Sequence, residues 1–111
     1  MPDKQKNVDK GLDNLDDQIV GLVGNHVKRN KARYEKVAQA LQAALKKDTK
    51  RYAKLLADEK IDAADFELLV KGRWAQIKIE LLAEASISKS KFEGIAKDVL
   101  ALTLNTVFDA V

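Results

Sequence analysis

The sequence predicts an all-α fold. Three observations carry that prediction: Ala, Leu and Lys dominate, apolar residues recur at intervals of three and four, and two helix starts are marked by capping residues. Ala and Leu lose little side-chain freedom in a helix, and one Pro and five Gly leave few interruptions. At 111 residues the chain is expected to form one helical domain, a small bundle or extended hairpin of about four helices.

Residues 1–7 are polar and expected to fray. From Val8 an apolar row runs through Leu12, Leu15, Ile19 and Leu22. A second row, Val20, Val23, Val27, Asn30, Tyr34, Val37, Leu41 and Ala44, alternates three and four and resembles a coiled-coil seam with Asn30 as its polar entry. The change of row falls near Gly21, Gly24 and Asn25, where a bend or break is expected. These rows predict a first helix over roughly 7–46, in one piece or two, with a further helical stretch at 48–57 around Tyr52, Leu55 and Leu56.

The later boundaries are sharper. Asp62 and Asp65 have the spacing of N-cap and third helical residue, and Ile61 and Phe66 sit where a hydrophobic staple would join them. The pattern recurs with Ser88 as cap between Ile87 and Phe92. Helices are therefore predicted at 62–85 and 88–110. The first has two apolar rows, Phe66–Val70–Trp74–Ile77–Leu81 and Leu68–Ala75–Ile79–Leu82, with Gly72 permitting close approach. The second is apolar through Phe92, Ile95, Ala96, Val99, Leu102 and Val107, and again through Leu100, Leu104, Phe108 and Val111. Helices apolar on two sides predict a central position for 62–85 and burial of surplus surface in an oligomer.

The net charge of +3 conceals a strong asymmetry. Lys28, Arg29, Lys31, Arg33, Lys36, Lys46, Lys47, Lys50, Arg51 and Lys54 face only Glu35 and Asp48, so residues 28–54 carry +8. Residues 1–25 carry −2 and residues 55–111 carry −3. Such a block points to an anionic partner, either nucleic acid, an acidic protein or an anionic membrane surface, or to a solvated face that the protein neutralises itself.

Catalytic apparatus is not visible. The chain has no Cys, so thiolate metal sites, Cys nucleophiles and disulfides are excluded, a composition compatible with the cytoplasm. His26 is the single histidine, and no GxxxxGK[ST], GxGxxG or GxSxG pattern occurs. Aligning Ile61 with an EF-hand loop puts Lys54 where the first carboxylate belongs, which rules that site out. Asp13, Asp16 and Asp17, and Glu80 with Glu84, read as solvated helix faces. No metal, cofactor or catalytic residue is assigned. The longest uncharged stretch, Val99–Phe108, is ten residues, half the length of a spanning helix, and no signal sequence is apparent.

The segment Leu82–Phe92 resembles the helix-turn-helix of bacterial repressors. In that resemblance Ser86-Ile87-Ser88 forms the turn, and Lys89, Ser90 and Lys91 open a recognition helix. It departs from the motif at Leu82, where a small residue belongs, and at Ser86 in place of the turn Gly. The cap and staple account for the same residues as a plain helical corner.

Two functions follow as expectations. The first is a non-enzymatic helical interaction or assembly protein that forms a homo-oligomer, with Val27, Tyr34, Val37 and Leu41, or Leu100, Leu104 and Phe108, as contacts. The alternative is a nucleic-acid-binding protein that uses the Lys28–Lys54 block, aided by Lys89 and Lys91.

Overall fold

The computed structural model describes the backbone of residues 2–111 and side chains from Gln5 onward. Among the described residues the chain forms five helices and no strand: α1 (Pro2–Asp13), α2 (Asp16–His26), α3 (Lys31–Ala57), α4 (Ala63–Glu84) and α5 (Lys89–Ala110). The all-α bundle is as the sequence predicts. Helices α3 and α5 form its centre, since each packs against all four others, while α4 packs against these two. The 27 residues of α3 span about 40 Å at 1.5 Å per residue, close to the 44 Å long axis.

The first helix expected from sequence, 7–46, is three helices. Pro2 opens α1, so the helix begins within the segment expected to fray; Met1 lies outside the described residues. Proline suits a first helical turn because its missing N–H would be unsatisfied there anyway. The helix stops at Asp13, and its last carbonyls find other donors. The Asn14 side-chain amide donates to Lys10 O (2.8 Å), its backbone N–H to Gly11 O (3.3 Å), and the buried Gln42 amide to Leu12 O (3.0 Å). Asp16 and Asp17 then start α2 at the positive end of its dipole.

The helix does not break at Gly21–Asn25: α2 runs through that segment to His26. The buried row is Val8, Leu12, Leu15, Ile19, Val23 and Val27, and Val20 is 40% exposed. The second break lies at Val27–Asn30. Val27 is extended (φ −133°, ψ 142°), and Asn30 adopts the left-handed conformation (φ 58°, ψ 31°) that Asn tolerates better than most residues. Asn30 is therefore a turn residue, not a seam position. The 48–57 stretch is no separate helix: α3 continues through it, with buried Thr49 bonded back to Leu45 O (2.8 Å).

Helix α3 ends in a Schellman motif. Lys60 N–H donates to Leu55 O (2.9 Å) and Glu59 N–H to Leu56 O (3.1 Å), with Glu59 at φ 59° where Gly is usual. The two later starts are as expected. Asp62 accepts from Asp65 N–H (2.8 Å) and its own N–H donates to Asp65 (3.3 Å), closing a capping box. Ser88 accepts from Lys91 N–H (3.4 Å). The Tyr34 hydroxyl accepts from Ser88 N–H (3.3 Å), which ties the α4–α5 corner to α3.

One contiguous core joins all five helices, from Val8 on α1 to Val107 on α5. Gly11 lets α1 approach α5 closely, because a Cβ there would lie 2.8 Å from Thr106 Cγ2. The central position expected for 62–85 belongs instead to α3 and α5. Helix α4 lies at the edge, burying Phe66, Val70, Ile77 and Leu82 and leaving Leu68 and Ile79 of its second row outside.

Candidate interaction surfaces

The outward face of α4 is the largest departure from a sealed surface. Leu68, Gly72, Ala75 and Ile79 follow one another at intervals of four, three and four, which aligns them along one side. Leu68 is 72% exposed and Ile79 66%, and Leu69 beside them is 38% exposed. A Cβ added at Gly72 would meet nothing within 4 Å, so the fold itself does not require glycine there.

The cations beside this ridge are paired within the chain. Lys71 meets Glu67 at 3.3 Å, Lys78 meets Glu93 of α5 at 3.0 Å, and Arg73 meets Asp48 of α3 at 2.6 Å. The hydrogen bond to Asp48 raises the Arg73 guanidinium pKa above its ordinary value. Lys78 also lies 4.4 Å from the centre of the Trp74 ring, whose Nε1–H donates to Ala96 O (2.9 Å). The result is an apolar ridge flanked by neutralised pairs.

The basic block divides in two. Lys50 and Lys46 reach Asp13 of α1 at 2.9 and 3.2 Å, and these bonds hold the Asp13 carboxyl below the usual carboxylate range. Arg51 reaches Asp48 at 3.1 Å and lies 5.2 Å from the Tyr52 ring centre. Lys28, Arg29, Lys31, Arg33, Lys36, Lys47 and Lys54 are exposed, with no ion-pair partner among the described residues. The first five gather at the α2–α3 corner. Lys36, Lys47 and Lys54, at intervals of eleven and seven, share the outward side of α3. Tyr34 is buried, so it offers no open ring for base stacking.

A cleft of about 600 Å³ opens beside that corner. Val37, Ala40, Leu81 and Ile87 supply its apolar walls and Arg33, Lys36 and Glu84 its charged rim. The cleft places the basic corner next to the C-terminal end of α4.

Most residues expected to mediate self-association lie in the chain's own core. Val27, Tyr34, Leu41, Leu100 and Leu104 are 9% exposed or less. Val37 is half-buried in the cleft wall, and Phe108 is 37% exposed with its ring edge-on to Phe66 at 5.6 Å. The large apolar side chains left most open are Leu68 and Ile79, from the second row of a helix whose surplus surface is expected from sequence to be buried in an oligomer.

His26 is held between helices. Its Nε2 lies 2.5 Å from Asp98 of α5, and its ring rests against Gly94. Among the described residues no three His, Cys, Asp or Glu side chains are grouped to hold a metal ion, and no helix is long and apolar enough to cross a membrane. The helix-turn-helix resemblance does not extend to geometry. Side chains of α4 and α5 meet from Lys78–Glu93 through Trp74–Ala96 to Phe66–Phe108, the register of an antiparallel hairpin and not of a steep crossing.

Comparison of the chain with protein-family models, curated proteins and solved structures found no match.

Proposed function

We propose that this chain is a non-enzymatic assembly protein that self-associates, and that the outward face of α4 is its docking face. One observation carries the reading: Leu68 and Ile79 project into solvent from one side of a helix whose inward row is already buried. Fully burying a Leu or Ile side chain is worth about 1.5–3 kcal/mol. Two such residues from each of two copies would gain roughly 4–8 kcal/mol, allowing for their partial exposure, against an association cost of about 4–15 kcal/mol. The balance describes a weak, concentration-dependent contact.

Sedimentation velocity across low to high micromolar concentration tests this. The expected result is a concentration-dependent shift from monomer to dimer, abolished by Leu68→Lys with Ile79→Lys, which leave the buried row intact. A strict monomer at high micromolar concentration overturns the reading.

A second reading, nucleic-acid binding, is favoured by the five unpaired cations at the α2–α3 corner. Titration with random duplex DNA and RNA at two salt concentrations tests it, with a log–log slope of roughly −0.9 per phosphate contacted expected on duplex DNA. Changing Lys28, Arg29, Lys31 and Arg33 to Gln should remove the binding. Absence of binding at low salt ends this reading.

A further inference from the structure

We propose that the partner on α4 is α4 of a second copy, running antiparallel about a two-fold axis that passes between Arg73 and Trp74. The proposal rests on the assembly reading and names its partner and register. The midpoint of Leu68 and Ile79 and the midpoint of Gly72 and Ala75 coincide at that point. In the antiparallel arrangement Leu68 lies opposite the partner's Ile79, and Gly72 opposite the partner's Ala75. Large residues meet at both ends while small ones let the backbones approach at the middle, the self-complementarity that a two-fold interface requires.

Gly72 supplies an independent argument. Glycine inside a helix is less favourable than alanine by about 1 kcal/mol, and nothing in the chain occupies the space a Cβ would take. Close approach of a second backbone accounts for the missing side chain.

Charge selects the direction. Arg33 and Lys36 share a cleft with Leu81 and Glu84, so the basic corner sits at the C-terminal end of α4. Parallel pairing would bring both basic corners to one end; antiparallel pairing puts them at opposite ends, about 33 Å apart along a 22-residue helix. It also brings Glu67 of one copy within two residues, or about 3 Å of helix rise, of the partner's Lys78. The remaining α4 cations are neutralised within their own copy, so two basic molecules can meet here without unpaired cations opposed. The ridge from Leu68 to Ile79 is about 17 Å long and about 10 Å wide, which belongs to the small, transient class of interfaces.

Cysteine cross-linking tests the register on the full chain, which has no cysteine of its own. Leu68→Cys and Ile79→Cys variants are prepared with different tags, checked for helicity by circular dichroism, and oxidised mildly, alone and mixed. The mixture should form a disulfide between positions 68 and 79 at least about tenfold faster than either variant forms one with itself, because pairing raises the effective thiol concentration. Ala75→Cys with Gly72→Cys should repeat the pattern. Preferential linkage of either variant to itself overturns the antiparallel register while leaving self-association intact. A dimer by sedimentation with no preferential linkage moves the interface off α4 and overturns the proposal. A strict monomer overturns both the proposal and the assembly reading, leaving the ridge to a different protein.

Discussion

Helices α4 and α5 are both 22 residues long, and both carry two apolar rows, yet the fold treats them differently. Helix α5 is surrounded: Phe92, Ile95, Ala96 and Val99 are buried along one row, and Leu100 and Leu104 along the other. Helix α4 has neighbours on one side only, so Leu68 and Ile79 remain in water. Apolar breadth in a sequence shows how much surface a helix can bury. The number of helices packed around it determines how much it does bury.

The most direct way to break that contrast is a matched pair of isoleucines. Ile95→Ala on α5 should destabilise the protein by about 2–5 kcal/mol, because it removes buried methyl groups and leaves a cavity. Ile79→Ala on α4 should change monomer stability by less than about 0.5 kcal/mol, as surface substitutions do. Urea unfolding at low micromolar concentration, where self-association is suppressed, measures both. Equal effects would mean that Ile79 is buried in the monomer.

A pair of glycines sharpens the same contrast at smaller magnitude. Gly11→Ala drives a methyl group into Thr106 of α5 and should cost about 1–3 kcal/mol by overpacking. Gly72→Ala enters open space and should stabilise the monomer by up to about 1 kcal/mol through helix propensity alone. Thermal melts of the two variants should therefore move in opposite directions.

The link into α4 supplies a third comparison. Glu59 holds a left-handed conformation that strains any residue with a Cβ, so Glu59→Gly should stabilise the fold by about 1 kcal/mol. A melt that does not rise would show that the Glu59 side chain contributes an offsetting interaction.

The smallest effect concerns the flank of α3 that faces α1 and not α4. Lys50 and Lys46 lower the Asp13 pKa, so this carboxylate binds its proton less readily folded than unfolded. Its contribution to stability is present above the ordinary carboxylate value of about 4 and is lost as pH falls through the folded value. Asp13→Asn should therefore flatten the acid limb of a stability-versus-pH curve while leaving its slope near neutrality unchanged. An unchanged acid limb would show that solvent screens the pair completely.

Local signals were legible in the sequence and relational ones were not. Asp62–Asp65 and Ser88 marked their helices to within a residue, because a cap is chemistry between neighbours. The break at Asn14–Leu15 was hidden, since Leu15 caps α2 without a side-chain bond and Gln42, 30 residues away, satisfies α1's Leu12 carbonyl. Asn30 kept a helical interval while its backbone turned left-handed, so spacing misread a corner as a seam. The basic block was visible as charge. Asp48 pairs locally with Arg51 three residues on, whereas which members Asp13 neutralises depended on tertiary contact. Among the candidate contact residues, spacing identified both rows of α4 and α5 without revealing which row would find partners inside the chain.

The interruption between α1 and α2 also bears on how the molecule opens. At 12 and 11 residues, the pieces lie at or below the lower end of the roughly 12–15 residues at which helices persist alone in water, so each keeps its shape only while docked. Gln42 and Asp13 fasten this arm to α3, and His26 fastens it to α5. Thermal fluctuation should lift the arm before the α3–α5 hairpins separate, making it the first unit to admit solvent deuterium. Amide exchange would then divide the chain near Asn30, with a fast-exchanging arm before it and a slow three-helix remainder after it.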